Sequence, residues 1–133
     1  MKWIPHPYQL RGVEVLTKQC GAGQLLDPGM GKTTTSLAAF DVLRDYDYAK
    51  KMLVVAPIKP MYGTWRQEAK KWDDFNHLSF SILHGKDKVA NLREDVDVHI
   101  INPEGLAQEQ GAGGVLISGR CCARCLCRSC FCV

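Results

Sequence analysis

The residues best suited to chemistry in this sequence lie between Asp27 and Thr34, in the order Asp-Pro-Gly-Met-Gly-Lys-Thr-Thr. A Gly-Lys-Thr run placed between a strand and a helix is the end of a phosphate-binding loop. Gly29 and Gly31, with Met30 between them, let the backbone turn its N–H groups toward an anion, and the start of a helix adds the positive end of a dipole. Lys32 can reach the β- and γ-phosphates of a nucleotide, and the Thr33 hydroxyl can hold the accompanying Mg²⁺. Lys32 is therefore the candidate catalytic residue. One departure stands out: the full pattern has Gly five positions before Gly31, and Leu26 stands there. The competing reading is a capped turn carrying an exposed lysine.

A second group with chemical potential is the cysteine run. Six of the seven cysteines fall between Cys121 and Cys132, and the first 106 residues hold only Cys20. Cys122 with Cys125, and Cys127 with Cys130, form two Cys-x-x-Cys units of the kind that share tetrahedral Zn²⁺. Only Leu126 separates the units, which leaves no room for the loop that a zinc finger folds around. A metallothionein-like thiolate cluster, a native linker and out-of-frame or aberrant sequence all stay open for this segment, and no metal ligand is assigned in it. His6, His77 and His99 show no ligand spacing with one another.

The elements that must position the phosphate loop follow from periodicity. Leu10, Val13 and Leu16 recur at helical spacing between Tyr8 and Lys18, and Gln24-Leu25-Leu26 is a short apolar run that reads as a strand. Lys32 to Arg44 predicts a helix with Leu37, Phe40 and Leu43 on one face. Met52 to Ala56 is a continuous apolar run stopped by Pro57 and Pro60, the pattern of a strand buried on both faces. Met61 to Trp72 predicts one further helix, with Trp65, Ala69 and Trp72 on a stripe that fills the core. Strands are expected at Ser79 to Leu83 and Val98 to Ile101. Alternating strands and helices with long connections predict an α/β fold, a parallel sheet with flanking helices joined by right-handed crossovers.

Composition sets the outer bounds. With 133 residues, 46% hydrophobic and 23% charged, the chain suits one globular core, and its mixed content excludes collagen-like, coiled-coil and strongly disordered classes. A net charge of +3 permits nucleic-acid contact without arguing for it. No apolar run approaches the roughly 18 residues that a membrane-spanning helix needs, so no membrane partner and a cytoplasmic location are expected. Residues 1–106 carry 14 Lys+Arg and 13 Asp+Glu, whereas residues 107–133 carry three Arg, one Glu and no Lys or Asp. That break predicts a domain over 1–106 and an irregular Gly/Cys-rich tail over 107–133.

Four motifs in order resemble the first, RecA-like lobe of a Swi/Snf-type superfamily-two helicase, a double-stranded DNA translocase. Pro7-Tyr8-Gln9-Leu10-Arg11-Gly12-Val13 resembles that family's Gln motif, and the resemblance implies that Gln9 reads the adenine edge. Leu26 to Thr33 is similar to motif I, whose members also lack the early Gly and carry an acidic residue at the position of Asp27. Its Pro-Gly-Met variant looks more like phage and bacterial members than eukaryotic remodellers. Leu53-Val54-Val55-Ala56-Pro57 with Trp65, Glu68 and Trp72 resembles motif Ia and its trailing helix, and Val98 to Glu104 falls where motif Ib belongs. The resemblance implies an ATP site of Gln9, Asp27, Gly29, Met30, Gly31, Lys32, Thr33 and Thr34, with Mg²⁺ on Thr33. It also implies contact with duplex DNA through Pro57, Lys59 and Asn102.

The family's next motif is an Asp-Glu pair on a strand, and no Asp-Glu dipeptide occurs in this sequence. The chain therefore looks truncated before that box and before the second lobe. The expectation is weak ATP binding with negligible hydrolysis by this polypeptide, in the cytoplasm of a bacterial or phage-infected cell. Two alternatives are a small non-catalytic nucleotide- or metal-binding protein and another P-loop enzyme such as a small kinase.

Overall fold

The computed structural model describes residues 1–19, 23–85, 90–91 and 94–104, and the backbone of Cys130–Cys132. The elements in chain order are α1 (Pro7–Lys18), α2 (Lys32–Asp45), β1 (Lys51–Val55), α3 (Ile58–Tyr62), α4 (Thr64–Lys71), β2 (Phe80–Leu83), β3 (Val98–Ile101) and β4 (Cys130–Cys132). The strands form one sheet in the order β2-β3-β1-β4, and every pairing is parallel. Val55 and Leu83 both pair with Ile101, so the loops leaving β1, β2 and β3 emerge on one edge. The expected α/β architecture is present.

β3 lies between β1 and β2, and all four of its residues are buried. β1 was expected to be covered on both faces, but it alternates, with Met52 and Val54 buried and Lys51, Leu53 and Val55 half-buried. The strand covered on both faces is thus β3. The helix α2 carries the main core: Thr34 through Phe40 are buried without interruption, and Leu37, Ala39 and Phe40 are fully so. A helix buried around its circumference must be packed on more than one side. Here α1 and α4 both pack against it. Met52, Val54, Met61, Trp65, Phe75, Val98 and Ile100 complete the cluster beneath.

Two expectations fail for physical reasons. Gln24 to Leu26 forms no strand, and Leu25 is fully exposed. A strand exists only through a ladder, and the edge of β1 away from β3 is already paired, by β4 through Lys51↔Cys130 and Leu53↔Cys132. The helix expected over Met61 to Trp72 is two helices, starting at Ile58 and broken at Gly63, whose φ of −120° and ψ of −63° leave helical space. Pro60 is tolerated in the first turn of α3, where its missing N–H has no partner to lose. The cysteine side chains of the tail lie outside the described residues. Within it, the backbone of Cys130–Cys132 alone is described, and it is a strand rather than irregular chain.

One residue ties the amino ends of these elements together. Asp97 pairs with Arg44 near the end of α2 at 2.9 Å and accepts from the Ser79 amide and hydroxyl at 3.0 Å, and its own carbonyl accepts from the Met52 amide at 2.9 Å. The helix that carries the phosphate loop is thereby fixed to the start of β1 and β3.

Candidate nucleotide site

The loop before α2 bends twice through conformations that favour glycine. Gly29 has φ of +81°, and Gly31, the residue capping α2, has φ of +78° and ψ of 33°, in the left-handed region. The Met30 amide donates to the Asp27 carbonyl at 3.3 Å, closing the turn. The first N–H groups of an α-helix have no acceptor inside it, and no side chain caps α2. Gly29, Gly31, Lys32, Thr33 and Thr34 line a cavity of about 410 Å³. That is the size range of a small-ligand pocket. An uncapped helix start opening into it has the electrostatics that suit an anion.

Gln9 interlocks with this loop. It is 7% exposed; its Oε1 accepts from the His6 amide at 2.9 Å, and its Nε2 donates to the Met30 carbonyl at 3.3 Å. The Tyr8 hydroxyl donates to the same carbonyl at 3.2 Å. A methyl group at Gly31 would sit 2.4 Å from Gln9 Nε2, so the amide would have to move aside. The Lys32 ammonium donates to the Leu26 carbonyl at 2.7 Å, folded over the loop it is expected to serve.

Of the sequence-predicted ATP residues, Gln9, Gly29, Gly31, Lys32, Thr33 and Thr34 meet at the cavity. Asp27 is exposed and contributes its carbonyl to the turn, while Met30 is half-buried with its carbonyl turned to Gln9 and Tyr8. The expected DNA residues lie elsewhere. Pro57 and Lys59 line a second cavity with Ile58, Pro60, Pro103 and Glu104, on the edge where β1 and β3 end. Asn102 is 6% exposed, and its amide donates to Glu104 at 3.0 Å, so this side chain faces inward.

The rest of this cavity's lining escaped the sequence reading. Trp3, His6 and Tyr8 from the amino-terminal segment face Thr64, Glu68, Lys71 and Trp72 on and just after α4. His6 and Tyr8 stack with ring centroids 5.6 Å apart. Trp65 is buried at 8% exposure, as a core residue should be, whereas Trp72 packs against the core and also lines the cavity, with the Lys71 ammonium 4.8 Å from its ring centroid. The spacing Trp65, Glu68, Trp72 puts all three on one helical stripe. That spacing was the available signal for Glu68, had the stripe been read as reaching beyond the core. Among the described residues no cluster of His, Cys, Asp and Glu is arranged to hold a metal, and no helix is long and apolar enough to cross a membrane.

A parallel α/β sheet with an uncapped, glycine-bent helix start is the architecture of a P-loop, RecA-like lobe. Residues 8–114 match the SNF2-related domain, and the chain belongs to that family. The match runs past Leu106, where the sequence break had suggested a boundary. The chain is similar to the Sulfolobus solfataricus SWI2/SNF2 ATPase core in complex with dsDNA, with a TM-score of 0.63 and 26% identity over 77% of this chain and 22% of that one. It is also 29% identical over 108 residues to protein p41 of Acyrthosiphon pisum secondary endosymbiont phage 1, over 78% of this chain and 24% of the relative. The chain thus spans about a quarter of the length of the relatives it matches.

Proposed function

We propose that this chain is the ATP-binding part of a Swi/Snf-like DNA-dependent ATPase that couples ATP hydrolysis to movement on duplex DNA. The observation that carries the reading is the uncapped start of α2 opening, beside Lys32 and Gln9, into a cavity of nucleotide size. ATP brings its own negative charge and its Mg²⁺ to this place. The protein contributes the amides of the first helical turn, the Lys32 ammonium once it leaves the Leu26 carbonyl, and the Thr33 hydroxyl as the group suited to hold Mg²⁺. Phosphoryl transfer further needs carboxylates and cationic groups around the developing charge.

Duplex DNA is proposed to lie along the edge bearing Pro57 and Lys59. The complex of the related ATPase core with dsDNA supports a duplex-DNA partner; the edge is chosen because Lys59 is exposed there to meet a phosphate. Asn102 serves that edge by bracing Glu104 rather than by touching DNA. Action in the cytoplasm of a bacterial or phage-infected cell is part of this proposal. Family membership sets the small-kinase alternative aside.

Titration with a fluorescent ATP analogue tests the site. Lys32→Ala abolishes binding and Lys59→Ala leaves it intact, while Lys59→Ala weakens retention of a duplex oligonucleotide at low salt. Equal analogue affinity in wild type and Lys32→Ala would refute the ATP assignment.

A further inference from the structure

We propose that Glu68 is a nucleotide-positioning residue, whose carboxylate holds the first turn of α2 through Thr34 and forms the wall of the ATP site opposite Gln9. The proposal rests on the ATP reading above and deepens it.

The hydroxyls of α2 show why Thr34 is special. A Thr or Ser inside a helix commonly bonds back to the carbonyl four residues earlier. Thr35 does so to Gly31 at 2.8 Å, and Ser36 does so to Lys32 at 2.9 Å. The corresponding acceptor for Thr34 is the Met30 carbonyl, which already receives Tyr8 and Gln9. Thr34, 3% exposed, instead donates out of its own helix to Glu68 Oε2 at 3.0 Å. The occupation of Met30 by the Gln motif and the bond from Thr34 to α4 are therefore two halves of one arrangement. Both act at the start of the phosphate helix.

Glu68 itself has no ion-pair partner among the described residues, although it is half-buried on the wall of a cavity that also holds Lys32 and Lys71. Lys32 is bonded to Leu26, and Lys71 lies over Trp72. Placing a carboxylate where a triphosphate is expected opposes anion binding by charge. A residue that only filled space there would carry no charge, so the acceptor function explains its presence better than packing does. The partner it needs is the Thr34 hydroxyl, and the turn so held is the one whose amides face the cavity.

The test is analogue titration of the full chain in four variants beside Lys32→Ala, with thermal melting to verify folding. Glu68→Ala and Thr34→Val should each weaken binding about 5- to 10-fold, and the double variant should be no weaker than either single, because residues sharing one interaction are non-additive. Glu68→Gln keeps an acceptor and removes the repulsive charge, so it should bind within about 2-fold of wild type or tighter. If Glu68→Ala unfolds, Thr34→Val against Glu68→Gln makes the same comparison. Wild-type affinity in Glu68→Ala or Thr34→Val, additive losses, or a Gln variant as weak as Ala would each overturn the proposal while Lys32→Ala still loses binding. A Lys32→Ala chain that binds normally, or a wild-type chain that binds nothing, overturns the ATP reading itself.

Discussion

Gly31 shows how much of the site is decided atom by atom. Its φ of +78° lies where a side chain is strained, and an added methyl would meet Gln9 Nε2 at 2.4 Å. Both costs act together in Gly31→Ala, which should lower folding stability by about 1–3 kcal/mol and abolish analogue binding by pushing Gln9 off the loop. Chemical denaturation and titration of the same preparation measure the two effects; unchanged binding would show that the interlock is dispensable. The residue chemistry of Gly29 to Thr33 was legible in the sequence because glycine, lysine and threonine at this spacing have few other reasons to occur together. Glu68 was named beside Trp65 and Trp72, but its pairing was not legible, because its partner Thr34 is 34 residues away in the chain, and only packing of α4 on α2 reveals the pair.

Among the elements, the strands at Phe80–Leu83 and Val98–Ile101 were readable from short apolar runs, and α1 and α2 from their helical spacing. The strand expected at Gln24 to Leu26 was not decidable locally, since an apolar triplet becomes a strand only where a free edge accepts it. The split between α3 and α4 was readable in principle from Gly63, but the stripe of Trp65, Ala69 and Trp72 hid it by fitting one longer helix. Long-range polar anchors are equally invisible to periodicity. Asp97→Ala removes the ion pair to Arg44 and two bonds from Ser79. It should destabilise the fold by about 2–3 kcal/mol, seen as a lower urea midpoint with an unchanged slope. A loss below about 0.5 kcal/mol would mark these contacts as surface ion pairs of little weight.

Across the whole molecule, the buried centre of the sheet carries a titratable group with consequences for pH. His99, 7% exposed on β3, has its proton affinity lowered first by burial and then by the nearby Lys51, offset by backbone carbonyls of Asn91 and Glu94. The folded chain therefore resists protonation that the unfolded chain accepts at about 6.5. Stability contributed by neutral His99 is complete above that value and is lost as pH falls below it toward the depressed folded value. Asp41 works in a more acidic window with the opposite sign: burial and Asp45 raise its value above 3.8, so acid favours its folded form there. Urea midpoints at about pH 7.5 and about pH 5.5 should differ in wild type and converge in His99→Gln. An equally steep decline in the variant would assign the acid sensitivity to other groups.

The two bonds of Gln9 carry one more implication. Its amide is already committed at both ends, to the His6 N–H and the Met30 carbonyl. One N–H and one oxygen lone pair of the amide stay uncommitted, so a base edge that engaged them would leave the hold on the Met30 carbonyl in place. A single side chain would then span from whatever meets its outer face to the backbone of the glycine bend, so a change at one is felt at the other.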